Sequence, residues 1–478
     1  YLRLPSPVCP CRETKGAPIF PIRTATGGER VVMASKAQIQ TVKAEFLDPS
    51  LYDDAGLSGV PRLSRGTVLA ALSRAFDLAE GRRPGHAQRV AYIGVFLASE
   101  LELDAGRVEE VFFGCLLHDI GMAATSARVD STRGAKLISG TSRTDDVLAQ
   151  MPPGGWSEVV EAINAHCESG AAIARKMGFS EGVSRAVGSH HDCWDGSGST
   201  NAVSGEKSPV VARIVALADR VESMIDAEGS PLFVRRRGPA LVRDMAGHEI
   251  DPELAEKMAE IAGRDEFWLG FYDNDLAAAL MSLNYGGIMQ REELFDFLGV
   301  VADVIDERNG RESGRGRRIA DLARKVSIAS DMTERRADLV KVAALLQDIG
   351  TLGVPAHYLR KPDILSVDEM SSVQMHPVYA RDILSEIPGL GAAAWWVGGH
   401  PERIDGKGYP GMLEGGEVPA EAQIIGMCEA FDALTSERPY RRAMSHNDAF
   451  EVMRGLAGSR FDPYLLTRFE TVTGPFEA

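Results

Sequence analysis

The sequence predicts an all-α protein made of two tandem helical bundles related by internal duplication. Three observations lead there: one histidine and aspartate constellation occurs twice, apolar residues recur at helical spacing, and the composition supports two ordinary cores. His86, His118, Asp119, His166, His190 and Asp219 reappear downstream as Arg315, Gln347, Asp348, His376, His400 and Glu429. The offset is 229 residues for the first three pairs and 210 for the last three. Two constant offsets separated by a single gap of 19 residues mark a duplication of domain size. The flanks keep the same register: LLHDIG (Leu116 to Gly121) answers LLQDIG (Leu345 to Gly350), DGSG from Asp195 answers DGKG from Asp405, and EIDP (Glu249 to Pro252) answers RFDP (Arg460 to Pro463).

Taken in order, residues 1–61 are expected to form a partly disordered leader, rich in proline and without apolar periodicity. The leader is expected to be dispensable, or to reflect a start upstream of a native one at Met33. Cys9 and Cys11 form a lone CPC with no second pair, which is weak ground for a zinc site. Residues 62–263 form the first domain. Within it His86, Val90, Ile93 and Leu97 share one helical face, and Val108, Val111, Phe112, Cys115 and Leu116 make the buried stripe of the helix that delivers His118 and Asp119. His118 and His166 are 48 positions apart, against 29 for Gln347 and His376, and the surplus is either a lid or a surface insertion. Residues 264–290 connect the copies, and their aromatic run (Phe267, Trp268, Phe271, Tyr272) is expected to pack as interdomain core. Residues 291–474 form the second, degenerate domain.

A lone inward histidine is more often a hydrogen-bonded core residue than a ligand, but several of them converging without a cation would desolvate polar groups for no gain. Imidazole and carboxylate donors suit iron, manganese or zinc, and an aspartate beside a histidine can bridge two metals.

Here the residues resemble a known family. His86, His118-Asp119 in HDIG, His166, His190-His191 and Asp219 in ALAD match the HD superfamily of metal-dependent phosphohydrolases. The second copy resembles the HD-GYP branch through HPERIDGKGYP (His400 to Pro410) and FDALTSERPYR (Phe431 to Arg441). The resemblance implies tandem HD-domain bundles and a cyclic di-GMP type of phosphodiesterase. It assigns one metal to His86, His118 and Asp219, a second to His166, His190 and His191, and the bridge to Asp119, with Asp119 and His118 at the catalytic centre. Two transition-metal ions are implied, iron or manganese first, with zinc, nickel or magnesium as substitutes.

Both copies depart from the pattern. The lysine that commonly follows HDIG is Met122 in the first copy and Thr351 in the second, and the first copy reads DGSGST where GYP is expected. The second copy places Arg315, Gln347 and Pro401 at histidine positions, and a guanidinium opposes a metal by like charge. Arg315, Arg438 and Arg441 are therefore candidates for phosphate binding in a sensor-like second domain, against the alternative of a metal-free scaffold. A di-iron oxygenase centre in the first copy is a further alternative.

The formal charge of −16 argues against a general polyanion binder, and no DNA-binding signature accompanies the repeats. The expected partner is a nucleotide or another phosphate ester. No run of about 18 apolar residues is present to span a membrane. With six sparse cysteines, the pattern suits a reducing cytoplasm. The duplication makes the chain a pseudo-dimer, and it leaves room for a homodimer of such chains.

Overall fold

Ser64 opens the described fold, its hydroxyl accepting from the Thr67 amide and capping α1 (Arg65–Ala79). The computed structural model describes residues 61–125, 155–197, 204–229, 231–437 and 442–474. The leader with Cys9, Cys11 and Met33, most of the insertion ahead of His166, and Arg438 and Arg441 lie outside the described residues.

The first copy continues through α2 (His86–Glu100), α3 (Ala105–Leu117), α4 (Ile120–Thr125), α5 (Gly155–Lys176), α6 (Glu181–Ser189), α7 (Val210–Glu228), α8 (Pro231–Asp244) and α9 (Pro252–Ala262). The connector supplies α10 (Asp265–Phe271) and α11 (Leu276–Ser282). The second copy runs α12 (Arg291–Arg308), α13 (Arg315–Ala329), α14 (Glu334–Leu346), a 3-10 segment Ile349–Gly353, α15 (Ala356–Leu359), α16 (Val367–Val373), α17 (His376–Ser385), α18 (Gly391–Gly399), α19 (Ala420–Thr435), α20 (His446–Arg454) and α21 (Pro463–Thr473). The fold is all-α, as expected, and no helix among the described residues is long and apolar enough to cross a membrane.

The duplication is visible in the devices that start helices. Asp77 accepts from the amides of Gly85 and Ala87 at 2.7 and 3.2 Å, anchoring the helix that begins with His86, while Asp306 accepts from the Gly316 amide at 2.9 Å beside Arg315. Both helices are entered through a left-handed glycine, Gly85 at φ 86° and Gly314 at φ 89°. The EIDP and RFDP motifs have a physical meaning too. Asp251 and Asp462 cap α9 and α21, each followed by a proline in the first turn, where no amide donor is needed.

One continuous apolar core runs through both copies. The first helices lie in the seam: α1 packs on α2, α3 and α4 of its own copy and on the 3-10 segment and α17 of the second, and α12 packs on α13 and α14 of its own copy and on α4 of the first. An ion pair between Arg74 and Glu386 crosses the same seam. The connector does not behave as expected. Phe267 packs against Tyr92 and Phe96 of α2, and the Trp268 indole donates to the Ala262 carbonyl. Further along, Tyr285 meets Phe112. These aromatic residues extend the first copy's own core, because α2 and α3 offer them an apolar flank.

Candidate metal centre

Local helix geometry aims each first-copy residue at one point. His86 begins α2, His118 is the C-terminal cap of α3 with Asp119 next, His166 lies in α5, His190 caps α6 with His191 following, and Asp219 lies in α7. The glycine of HDIG lets these elements meet. A Cβ on Gly121 would lie 2.0 Å from the His166 carbonyl oxygen, and one on Gly350 would lie 1.9 Å from that of His376.

The two oxygens of Asp119 face different groups. Oδ1 lies 3.2 Å from His166 Nε2 and 3.4 Å from His190 Nε2. Oδ2 lies 3.0 Å from His118 Nε2 and 4.0 Å from His86 Nε2. Asp219 Oδ1 completes that second side, at 3.4 Å from His86 and 3.6 Å from His118. The His191 ring stands 4.0 Å from that of His190.

The donor set fits cations. His118 and His190 each place Nδ1 against a carbonyl, Cys115 at 2.8 Å and Val187 at 2.7 Å, so Nδ1 carries the hydrogen and Nε2 is turned inward. Yet Nε2 atoms meet in pairs, His86 with His118 at 3.3 Å and His166 with His190 at 3.2 Å. With Nδ1 of both His86 and His118 holding the hydrogen, two Nε2 lone pairs face each other in that couple, an arrangement that a cation between them would relieve. The Nδ1 of His166 and the Nε2 of His191 are buried without a hydrogen-bond partner. Burial opposes ionisation of Asp119 and Asp219, but the facing histidines outweigh it and hold both carboxyls well below the usual range. Among the described residues two groups bring ligand atoms close enough to hold a metal, Asp119 with His166, His190 and His191, and Asp119 with His86 and His118.

Four residues of this centre escaped the sequence reading. Glu222 accepts from His86 Nδ1 at 2.5 Å and from Arg89 Nε at 2.6 Å, fixing the His86 ring. Its position three residues after Asp219, one helical turn along, was the available signal. Glu80 is buried, and burial together with Asp119 pushes its carboxyl well above the usual value. Arg82 places Nη2 3.9 Å from Asp119 and 3.8 Å from Asp219.

The second copy fills the same space with a guanidinium. Arg315 reaches Asp348 at 2.8 Å, Glu429 at 3.1 Å and Asp432 at 3.1 Å, and its side chain is 4% exposed. Arg311 adds a second bond to Asp348 at 2.6 Å. With three carboxylates around it, Arg315 is engaged inside the fold. His376 and His400 still face each other at 3.5 Å, while both polar atoms of the Gln347 amide are buried and unbonded. Neither metal-type group among the described residues lies in this copy. Its GYP loop is held by Glu402, which accepts from the amides of Gly411 and Leu413.

Comparison with known proteins agrees with the tandem fold. Two family models, each described as an HD domain, match residues 83–224 and 299–465. The chain is 28% identical to a 3'3'-cGAMP-specific phosphodiesterase 3 of Vibrio cholerae, over 83% of the chain and 92% of that protein. It is 33% identical to a cyclic di-GMP phosphodiesterase response regulator of Xanthomonas campestris, over 38% of the chain and 48% of that protein. A crystal structure of a cyclic GMP-AMP specific phosphodiesterase of V. cholerae superposes with a TM-score of 0.59 at 24% identity, covering 86% of the chain and 98% of that structure, and so shares the fold.

Proposed function

The chain belongs to the HD superfamily of metal-dependent phosphohydrolases and carries two HD domains in tandem, and on that premise we propose that it is a cyclic dinucleotide phosphodiesterase with one catalytic centre, in the first domain. The observation that carries the proposal is the carboxylate of Asp119, whose two oxygens face separate histidine groups.

His86, His118, Asp119 and Asp219 would hold one transition-metal ion and Asp119, His166, His190 and His191 another. Such a pair, when bound, acidifies water and offsets the charge of a phosphodiester. The chain's own groups prepare this. His118 and His190 keep their protons on Nδ1, against carbonyls, so that Nε2 is presented to the centre. Glu222 orients His86 in the same way. Arg220 donates to the carbonyls of His190, His191 and Asp192, fixing the turn that carries two of the ligands. Imidazole and carboxylate donors suit iron, manganese or zinc, and the resemblance to the HD superfamily puts iron or manganese first, with zinc, nickel or magnesium as substitutes.

The second domain, with Arg315 standing where a ligand is expected, is a metal-free partner that supports the first. Relatives that span most of the chain are named for 3'3'-cGAMP, while those named for cyclic di-GMP match a shorter part. This favours 3'3'-cGAMP as the substrate to try first, and both relatives' names speak for hydrolysis over sensing or oxygenation. The test is turnover of each cyclic dinucleotide by the metal-loaded protein and by Asp119→Ala. Hydrolysis by the first and not the second is expected. Equal turnover by both, or none of either dinucleotide, would overturn the proposal.

A further inference from the structure

Both copies carry an arginine four residues ahead of the first ligand position, Arg82 before His86 and Arg311 before Arg315, and the two differ in what they do. Arg311 closes on Asp348 at 2.6 Å. Arg82 has carboxylates near it but no hydrogen bond to one: its Nη2 stands between Asp119 and Asp219 at 3.9 and 3.8 Å, ion-pair distances beyond hydrogen-bond reach of either. Nη1 is anchored on the Ser223 hydroxyl at 3.0 Å, and Nε is buried without an acceptor. A guanidinium has five donors in a planar fork, so this one retains capacity for an anion.

Its position fits that use. Around Oδ2 of Asp119, the side chain of Arg82 is 9% exposed, against 4% for Asp219, 2% for His86 and none for His118, so it is the most exposed of these four. The neighbouring cations are committed elsewhere, Arg89 to Glu222 and Arg220 to three backbone carbonyls. Met122, following the HDIG motif, is buried and offers no charge.

We propose that Arg82 is a phosphate-binding residue, donating from its free guanidinium edge to a non-bridging oxygen of an anionic phosphate ester seated over Asp119. The inference rests on the reading of the first domain as a phosphohydrolase centre, and it adds the residue that reads the substrate's charge. Its fixed positive charge would be available whatever the metal.

The experiment uses the full chain, metal-loaded, as wild type, Arg82→Ala and Arg82→Lys. It measures metal content, melting temperature and the binding of inorganic phosphate by calorimetry, together with turnover of cyclic dinucleotide. Arg82→Ala is expected to keep its metals and its melting temperature while binding phosphate about 10- to 100-fold more weakly, the scale of a lost hydrogen bond to a charged group. Arg82→Lys should fall between, and added guanidinium at non-denaturing concentration should partly restore binding to the alanine variant. Unchanged phosphate binding in Arg82→Ala would overturn the proposal. So would loss of metal from that variant, which would make Arg82 a support for the two aspartates, and so would a wild type that binds no phosphate. Arg82-dependent phosphate binding without dinucleotide turnover would leave this inference standing and overturn the wider reading instead.

Discussion

Arg315 illustrates how one residue can decide the chemistry of a domain. In the first copy the equivalent position is His86, whose imidazole can give up its proton and offer Nε2 to a cation. In the second, a permanent positive charge sits among Asp348, Glu429 and Asp432. Removing one partner of a buried ion network leaves uncompensated charge, so Arg315→Ala is expected to lose about 3–5 kcal/mol of stability with the metal content of the first copy unchanged. Denaturant unfolding beside metal analysis checks this, and an unaltered midpoint would contradict it. Asp306, close by, has its carboxyl raised to about 6, chiefly by burial. The folded chain then holds that proton more tightly than the unfolded chain, whose carboxyl titrates near about 4. The resulting stability is present below about pH 4 and is lost as pH rises through 6. Asp306→Asn keeps an acceptor for the Gly316 amide without the buried charge. It should match wild type at pH 4 and exceed it by about 1–2 kcal/mol at pH 7, as unfolding at the two pH values would show.

At the scale of helices, the glycine of each HDIG-like motif is a packing requirement with a chemical consequence. The backbone of the His166 helix runs so close to Gly121 that a methyl group would meet the His166 carbonyl oxygen. Gly121→Ala must push α5 away from α4, a backbone displacement at the upper end of the usual overpacking cost of about 1–3 kcal/mol. Because α5 also carries His166, this variant is expected to lose metal affinity along with stability. Gly350→Ala, with the same clash against His376, should lose stability alone. Metal titration of the two variants separates them, and equal metal loss from both would mean that the second copy is not metal-free. HDIG was legible as a motif because its residues are consecutive. Its glycine's reason was not, since the oxygen it must clear lies on a helix beyond a long insertion.

Over the whole molecule, α1 and α12 bridge the two copies, each first helix packed against both its own copy's motif and the other's, within one continuous core. That arrangement gives the second copy a structural part in the first: it helps bury the helix that carries Asp77 and leads to Glu80 and Arg82. Substitution of His86 or His118 by alanine should abolish hydrolysis. Substitution of His376 or His400 should leave kcat within about ten-fold, about 1.4 kcal/mol of barrier, while lowering the melting temperature. Steady-state kinetics of the four variants distinguish a single centre from two, and comparable losses from both sets would place catalysis in the wrong copy.

The sequence by itself determined the all-helical class, the duplication and which copy keeps its histidines and aspartates, because helical periodicity and a repeated template are local or register-locked signals. Only the tertiary structure decided that Asp119 turns one oxygen to each histidine group, that Glu222 orients His86 from 136 residues away, that Arg315 is surrounded by three carboxylates, and that the connector's aromatic rings belong to the first copy. Each of these depends on which distant side chains share a small buried volume. Hydrogen bonds and ion pairs there are set by the packing of whole helices, and a spacing along the chain carries no record of it.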